Sequence, residues 1–226
     1  MPVDNRSAHA SSEYDSSIEK TIPYYSYIHE ETLNVVRSIN PSPGSWLDTG
    51  CGTGTLVMKA KERFAATAFY VCDPSPGMLG IAVNKLGGAA SSLGAVDTLA
   101  IDGRWDNSFD VVTAIQCLHY LDLQGRSDAI RRCFDLLRAG GIFISFENTR
   151  PLTKEGTAIF LDYWKRFQIE AGKTSGQAES HIKRFGLEYF PITVAEHLAL
   201  LRSTGFKVVE LLWYSYMQSG YLCLKQ

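Results

Sequence analysis

The chain has 226 residues with a formal net charge of −2, and hydrophobic residues make up 45% of it. This composition is typical of a soluble globular protein, and the length suits one α/β domain with a small addition. Because basic residues are not in excess, binding to a long nucleic acid is disfavoured. Residues 1–12 are polar and no apolar run approaches the ~20 residues of a membrane span, so we expect a cytoplasmic protein without a secretory leader.

Helices and strands are predicted to alternate along the first two thirds of the chain. Residues 1–12 are predicted to be disordered, and residues 14–27 to form a short helical or irregular segment. The elements that follow are helix 27–39, strand 45–47, helix 53–64, strand 66–72, helix 76–86, strand 109–116, helix 125–137 and strand 141–147. Residues 87–101 are expected to contain one further short strand. This alternation predicts a parallel, doubly wound sheet.

The chain after Pro151 departs from this alternation. The predicted elements there are helices 161–171 and 193–203 and strands 206–216 and 220–224. A tight turn at residues 219–220 would join the two strands, and the resulting hairpin would make the sheet mixed. We expect residues 1–226 to form a single domain, with residues 1–27 as a flexible lid segment and residues 151–192 as a cap insertion.

The strongest motif follows the first strand, where Asp48 begins a D-x-G-x-G-x-G sequence that continues through Gly50, Gly52 and Gly54. Alternate glycines between a strand and a helix let the backbone, including that of Cys51, approach a ligand closely. A dinucleotide site would show G-x-G-x-x-G with a pyrophosphate at the helix, and Asp48 would repel that group. The carboxylate suits a ligand that carries an ammonium group, such as S-adenosylmethionine (SAM).

A second acid, Asp73, ends the next predicted strand. Doubly wound folds place a carboxylate about 20 residues beyond the glycines, where it accepts hydrogen bonds from ribose hydroxyls. We therefore expect Asp73 to hold both ribose hydroxyls of SAM, with Pro74 beside it. Met78, at the start of the following helix, is expected to pack on the adenine, and Val96 is a further candidate contact.

These motifs occur in an order that resembles class I SAM-dependent methyltransferases from about Tyr14 to Lys225. The matching segments are residues 48–54, Asp73, residues 109–115 and residues 136–144. The resemblance implies SAM as the cofactor and a Rossmann-like, seven-stranded sheet. It implies the strand order 3-2-1-4-5-7-6 with strand 7 antiparallel, helices on both faces and a small cap. Family members often carry an acid or serine beside the adenine, whereas this chain has Gly94-Ala95-Val96-Asp97.

A narrower resemblance is to a group of small bacterial enzymes. The matching segments are Tyr14-Asp15, Ile22-Pro23-Tyr24-Tyr25, Phe190-Pro191-Ile192-Thr193-Val194 and Tyr216-Met217-Gln218-Ser219-Gly220. The group is similar to carboxy-S-adenosylmethionine synthases, which use SAM without simple methyl transfer. It is also similar to azetidine-2-carboxylate synthases, which cyclise SAM.

Three candidate catalytic residues follow the fourth and fifth predicted strands, where open α/β sheets bind their ligands. Gln116 is expected to orient the methionine part of SAM or an acceptor. His119 is a candidate general base because its reference pKa lies near neutral, with a packing or capping role as an equal alternative. Asn148 lies at the mouth of the crevice, and turn formation before Pro151 is its alternative role.

A fourth candidate, Tyr25, belongs to a tyrosine-rich segment near the N-terminus. Tyrosine rings attract cations, and the sulfonium of SAM is a cation. The segment is therefore predicted to close as a lid that excludes water, with surface packing as the alternative. A basic cluster at His181, Lys183 and Arg184 is predicted to be a solvated helix face, with binding of a carboxylate or phosphate on an acceptor as the alternative.

Metal chemistry is not expected. The five cysteines are odd in number and widely spaced, and they include no C-x-x-C pair, so neither a disulfide framework nor a zinc site is predicted. They are Cys51, Cys72, Cys117, Cys133 and Cys223. The expected partners are a small-molecule substrate or SAM alone, in a monomer or homodimer.

The sequence leaves several reactions open. The first is methyl transfer to a small-molecule acceptor, in which proximity supplies most of the rate. The second is cyclisation of SAM itself, in which the α-amino group attacks Cγ to give azetidine-2-carboxylate and methylthioadenosine. A SAM-binding module without catalysis and a tRNA-modification enzyme are weaker alternatives, the latter because of the acidic balance.

Overall fold

A seven-stranded sheet forms the centre of the computed structural model, which describes residues 5–226. The strands are β1 (Ser45–Thr49), β2 (Ala68–Cys72), β3 (Ala90–Gly94), β4 (Phe109–Ile115), β5 (Leu137–Asn148), β6 (Val208–Ser215) and β7 (Gln218–Leu224). Their order is β3-β2-β1-β4-β5-β7-β6, and β7 is antiparallel to both of its neighbours. The predicted doubly wound sheet with an antiparallel seventh strand is therefore confirmed.

Helices cover both faces of this sheet. In the described part of the chain they are α1 (Tyr14–Ser17), α2 (Tyr25–Ile39), α3 (Thr55–Arg63), α4 (Pro76–Leu86), α5 (Leu123–Leu136), α6 (Lys154–Glu170), α7 (Ser175–Lys183) and α8 (Val194–Thr204). Successive strand residues point to opposite faces, so Trp46 packs with α2, α3 and α4 while Leu47 packs with α5 and α8. Val111 and Val112 divide in the same way. This two-sided burial explains the continuous apolar runs in β1 and β4.

Parallel pairing brings the carboxyl ends of four strands to one edge of the sheet. Strand β1 pairs in parallel with β2 and β4, and β4 pairs in parallel with β5. The glycine motif, Asp73, Gln116 and Asn148 follow or end these four strands. The topology thus gathers at one edge the residues that the sequence selects.

The predicted hairpin turn at residues 219–220 is wrong. The turn lies at Tyr216 and Met217, and Gly220 lies within β7, where it pairs with Phe146 of β5 and Trp213 of β6. A Cβ atom at Gly220 would overlap the ring of Phe146. The glycine is therefore needed for close packing in the sheet and not for a turn.

Two further segments differ from prediction. Residues 175–183, for which no helix is predicted, form α7, whose start is stabilised by Thr174 and Gln177 in a reciprocal capping box. Helix α6 begins at Lys154, because the Oγ1 atom of Thr153 accepts a hydrogen bond from the backbone N–H of Gly156 at 2.9 Å. The predicted helix from 161 therefore starts too late.

The N-terminal segment follows a defined path over the edge of the sheet. Disorder was predicted for residues 1–12, of which residues 1–4 lie outside the described residues. For residues 5–12 the prediction is wrong, since they form successive bends and enter a 3-10 turn in which Ser11 is buried. The assignment of a single domain 1–226, with a flexible lid at 1–27 and a cap at 151–192, stays a prediction.

Gly220→Ala is expected to lower the free energy of unfolding by about 1–3 kcal/mol, because the added methyl group must displace the ring of Phe146. Gly80→Ala is the matched control, since an added Cβ on this exposed residue of α4 meets nothing within 4 Å and raises helix propensity. Equilibrium urea unfolding measures both. Equal stability of the two variants would contradict the packing role of Gly220.

Candidate active site

A cavity of about 300 Å³ lies at the carboxyl edge of the sheet, against the loops that follow β1, β2 and β4. Six of the predicted site residues line it: Gly50, Gly52, Asp73, Pro74, Met78 and Gln116. Residues from the N-terminal segment, Tyr14 among them, form the opposite wall. The cavity is therefore built between the sheet edge and the N-terminal segment.

The glycine loop needs its three glycines for different reasons. Gly50, Gly52 and Gly54 have φ values of 64°, 55° and 77°, in the left-handed region that side chains disfavour. A Cβ on Gly50 would lie 2.6 Å from the Cβ of Cys117, so that glycine permits close packing beneath the cavity. A Cβ on Gly52 would meet nothing within 4 Å, so Gly52 leaves open space beside the cavity. This arrangement fits a ligand that lies directly on the backbone.

Asp73 links the two loops that form the floor of the cavity. Its Oδ2 atom accepts a hydrogen bond from the backbone N–H of Gly52 at 2.8 Å, and its Oδ1 atom accepts one from Ser75 at 2.9 Å. Burial raises the pKa of this carboxyl, whereas the hydrogen bonds from Ser75 and Gly52 lower it. A carboxylate offers about four acceptor positions, so two remain for a diol such as that of a ribose.

Asp48 occupies a different environment from the one expected for it. It is buried at the end of β1, and its Oδ1 atom accepts a hydrogen bond from the Oγ1 atom of Thr113 at 2.6 Å. Burial raises its pKa to about 7, although the bond from Thr113 acts in the opposite direction. Asp48 lies behind the glycine loop and is not among the residues that line the described cavity.

The residues that line the cavity also differ from those predicted to contact the nucleoside. Val96, Cys51 and Gly54 are not among the lining residues, whereas Asp97, Thr98 and Leu99 are. The side chain of Asp97 accepts a hydrogen bond from the backbone N–H of Ala100, which fixes a short 3-10 turn at the cavity. The acid in Gly94-Ala95-Val96-Asp97 was the available signal, because an Asp before a turn is a common cap.

Gln116 stands between the cavity and a smaller inner pocket of about 30 Å³, and lines both. Its φ of 56° is unusual for a non-glycine residue, and such backbone strain concentrates at functional sites. Its Nε2 atom is buried and has no hydrogen-bond partner. An unpaired buried donor is costly, so this amide is available to a ligand that bridges the two spaces.

The inner pocket is bordered by His119 and Asn148, the other two candidates from the strand ends. The Nδ1 atom of His119 lies 2.8 Å from the Oε2 atom of Glu147, and each side chain is only 1% exposed. Burial lowers the pKa of His119, while its contact with Glu147 acts in the opposite direction. The Oδ1 atom of Asn148 accepts a hydrogen bond from Gln218 at 3.3 Å. The structure thus brings Gln116, His119 and Asn148 together.

Tyr14 takes the position that the sequence assigned to Tyr25. Tyr14 lines both the cavity and the inner pocket, whereas Tyr25 packs behind it with a ring-centroid distance of 6.5 Å. Tyr25 in turn contacts the ring of His29 at 4.7 Å. The Tyr14-Asp15 pair was the signal for the lining residue, but a single sequence gives no means to rank several nearby tyrosines.

Asp15 fastens the N-terminal segment to the glycine loop. It accepts hydrogen bonds from the Oγ1 atom of Thr53 at 2.6 Å and from the Nζ atom of Lys85 at 2.6 Å. Burial raises the pKa of Asp15, but the bonds from Lys85 and Thr53 outweigh this effect and hold it below its usual value. At the other end of the segment, the backbone carbonyl of Thr21 accepts a hydrogen bond from Trp164 of α6 at 2.7 Å.

The basic cluster of α7 is only partly a solvated face. Lys183 is exposed, as predicted, with 72% of its side chain accessible. His181 is instead buried and packs edge-on against Trp164 at 4.8 Å. Arg184 borders the inner pocket and donates hydrogen bonds to Glu188 and to the backbone carbonyl of Arg6. The sequence did not predict the burial of His181 because its packing partner, Trp164, belongs to another helix.

The fold and this site can be compared with known proteins. Residues 47–143 match a methyltransferase-domain family. The PigF structure with SAH superposes with a TM-score of 0.68 at 16% identity, over 97% of this chain and 60% of that one. Human N-acetylserotonin methyltransferase in complex with SAM gives a TM-score of 0.65 at 16% identity, over 97% of this chain and 57% of that one. The chain has the class I SAM-dependent methyltransferase fold. The predicted resemblance is confirmed, and SAM is supported as the cofactor.

Curated relatives match over most of the chain. The carboxy-S-adenosyl-L-methionine synthase of Campylobacter lari is 24% identical over 90% of this chain and 86% of its own. The enzyme of the same name from Staphylococcus epidermidis is 21% identical over 93% of this chain and 91% of its own. These matches support a SAM-dependent enzyme, and they extend beyond the methyltransferase domain into both ends of the chain. The chain spans 60% of the length of PigF and 57% of that of the human N-acetylserotonin methyltransferase.

Two kinds of feature are absent from residues 5–226. No helix among them is long and apolar enough to cross a membrane. No group of three or more histidine, cysteine or acidic side chains in this range has an arrangement that could hold a metal ion.

Asp73→Asn is expected to weaken SAM binding by at least roughly tenfold, because the amide loses charge-assisted hydrogen bonds and turns a donor towards a backbone N–H. Isothermal titration calorimetry measures the affinity. Asp128→Asn, an exposed acid on α5, is the matched control and should bind as the unaltered chain does. Unchanged affinity of Asp73→Asn would contradict the assignment of a ribose site.

The pKa of Asp48 predicts a pH dependence of stability. Because burial raises this pKa to about 7 from 3.8, the folded state keeps a proton that the unfolded state releases between these values. Stability is therefore greatest below the unfolded pKa and falls as pH rises through this window. Asp48→Asn should remove that slope, and urea unfolding at about pH 5 and about pH 8 tests it. Parallel pH dependence of both proteins would contradict the assignment.

Proposed function

We propose that this protein uses SAM as a substrate and changes the SAM molecule itself, by cyclisation to azetidine-2-carboxylate with release of methylthioadenosine. The observation that carries the proposal is the shape of the site. The cavity of about 300 Å³ adjoins an inner pocket of about 30 Å³, and residues of the N-terminal segment border both. A pocket of the latter size holds one or two waters, so it has no room for a second substrate. Such a substrate would have to occupy an outer groove of about 1300 Å³, which shares Arg6 and Tyr120 with the cavity.

The residues of the cavity fit the parts of SAM. Asp73 would hold the ribose hydroxyls, Met78 would pack on the adenine, and the open backbone at Gly52 would lie beside the nucleoside. Gln116 and Tyr14 line both spaces, so they would contact the methionine part and the sulfonium. SAM supplies a positively charged sulfur that leaves readily from any of its three attached carbons.

Cyclisation requires a neutral amine, a folded methionine chain and a dry pocket. A base first removes one proton from the α-ammonium group. The nitrogen then forms a bond to Cγ while the Cγ–sulfur bond breaks, and the electron pair goes to sulfur to give a neutral thioether. His119 borders the inner pocket as a candidate acceptor for that proton, and Gln116 and Asn148 offer neutral amides that orient the chain.

A second candidate reaction is transfer of a carboxyl group to SAM, the reaction for which the curated relatives are named. One observation of this chain favours it. Arg184 borders both the inner pocket and an outer groove of about 1300 Å³, to which Lys173 also contributes. Guanidinium groups bind carboxylates well, so an anionic donor would have a cation at the entrance.

Methyl transfer to a small acceptor, the first expectation from the sequence, stays a prediction. It needs an acceptor atom held close to the methyl group. Tyr14 and other residues of the N-terminal segment line the cavity. An acceptor would have to pass these residues to reach the methyl group.

The proposal predicts that the purified protein consumes SAM without any added acceptor. Mass spectrometry should detect azetidine-2-carboxylate and methylthioadenosine in equal amounts, since one bond closure releases both. His119→Gln should lower the rate at least roughly tenfold, as general bases contribute factors of this size or more. Lys183→Ala, an exposed residue outside the cavity, is the matched control and should retain full activity.

Other outcomes of the same experiment would overturn the proposal. SAM that stays intact but raises the melting temperature would show binding without reaction. A small-molecule cell extract is then added. Gain of a carboxyl group by SAM would support the second candidate, whereas formation of S-adenosylhomocysteine would support methyl transfer.

A further inference from the structure

A buried arginine supports the loop that carries His119. Arg126 lies on α5 and is 0% exposed. Its Nη2 atom donates to the backbone carbonyl of Phe190 at 2.6 Å and more weakly to that of Leu121 at 3.4 Å. Its Nε atom lies 3.4 Å from the carbonyl oxygen of Leu118. The guanidinium therefore holds both ends of the loop from 118 to 121.

The loop is also fixed to the cap by its own backbone. The carbonyl of His119 accepts a hydrogen bond from the backbone N–H of Phe190 at 2.8 Å. Arg126 binds the carbonyl of that same residue, Phe190. One buried side chain thus joins α5, the His119 loop and the segment before α8.

Glu147 fixes the imidazole from the other side. Its Oε2 atom accepts from the backbone N–H of His119 at 2.8 Å, and its Oε1 atom accepts from Leu118 at 3.3 Å. The Nδ1 atom of His119 is 2.8 Å from Oε2 of Glu147, an acceptor, and 3.4 Å from the backbone N–H of Asn148, a donor. The shorter contact favours a proton on Nδ1, which leaves Nε2 as the proton-accepting nitrogen.

Two opposite charges consequently flank one buried ring. Burial of an unpaired guanidinium is costly, yet no ion pair within the described chain includes Arg126, whose bonds go to carbonyl groups. The carboxylate of Glu147 lies across the same loop and offsets that charge electrostatically. A purely structural role would be served by a neutral side chain at lower cost.

We propose that Arg126 and Glu147 are positioning residues for His119: Glu147 holds its proton on Nδ1, and Arg126 opposes a second proton on the ring, so that Nε2 accepts a proton from the substrate. This inference rests on the proposed function in one respect, namely that the reaction needs a group that accepts a proton from the substrate. Glu147 sets the tautomer and the ring orientation. Arg126 fixes the loop and opposes protonation of the ring by its charge.

Charged and titratable groups from the elements that pack around His119 contribute to the electrostatic potential at its ring. Glu147 of β5 favours the charged ring, whereas burial, Arg126 and Arg184 disfavour it. The other titratable neighbours are Tyr120, Tyr189, His181 and His197. Of the charges in this set, Arg184 lines the inner pocket, whereas Arg126 and Glu147 do not, so replacing either of these two leaves the lining residues unchanged.

The test is nuclear magnetic resonance of the ligand-free protein with nitrogen-15 in its five histidines. The His119 signals are assigned by comparison with His119→Gln. The unaltered protein should show the tautomer protonated on Nδ1. Arg126→Gln should raise the pH at which His119 titrates, Arg126→Lys should restore it, and Glu147→Gln should mix the two tautomers.

The outcomes separate this inference from the proposed function. Unchanged titration in Arg126→Gln together with an unchanged tautomer in Glu147→Gln would overturn it. If Arg126→Gln does not fold, Glu147→Gln decides, and a pure Nδ1–H tautomer in that variant overturns the inference. Should the expected shifts occur while the unaltered protein forms no product from SAM, the positioning role stands and the proposed function fails.

In an active enzyme the pH profile gives a second readout. The rate requires neutral His119, so the acid limb of kcat should move to higher pH in Arg126→Gln and stay in place in Arg126→Lys. A merely structural role would lower the rate equally at every pH. That uniform loss would overturn the inference.

Discussion

Burial of Ile18 and Ile22 holds the N-terminal segment over the edge of the sheet, and the wall that this segment gives to the cavity depends on it. Both side chains belong to the core cluster that includes α2 and α3. Each buried isoleucine contributes about 1.5–3 kcal/mol, whereas a partly exposed ion pair such as Asp15–Lys85 contributes about 0–1 kcal/mol. Apolar packing therefore fixes the segment, and Asp15 sets its position on the glycine loop.

The enclosure in turn determines what chemistry the cavity supports. Tyr14 and Gln116 form the boundary between a nucleoside-sized space and a pocket that holds little more than a water molecule or two. Little bulk water reaches the inner pocket, so electrostatic interactions are stronger there than in solution. In the proposed cyclisation, the nucleophile is the amine of SAM itself. The small inner pocket, the neutral amides and the proposed His119 tautomer support that proposal.

The sheet and the edge that carries the candidate site could be predicted from the sequence because local patterns encode them. Apolar runs in β1 and β4 indicate burial on both faces, and the glycine motif with Asp73 indicates the loops that border the cavity. Three features could not be predicted. They are that Tyr14 and not Tyr25 lines the cavity, that the hairpin turn does not lie at Gly220, and that His181 is buried. Each depends on a partner far along the chain, such as Phe146 or Trp164, that a single sequence does not reveal.

The enclosure is tested most directly by hydrogen–deuterium exchange of the N-terminal segment. Mass spectrometry follows the amides of residues 14–22 in the protein alone and with S-adenosylhomocysteine, which cannot react. We predict slow exchange in both states and further protection with the ligand, because the ligand contacts Tyr14. Exchange at the rate of an unfolded peptide with the ligand bound would contradict a closed site. In that case the cavity would be open to an acceptor.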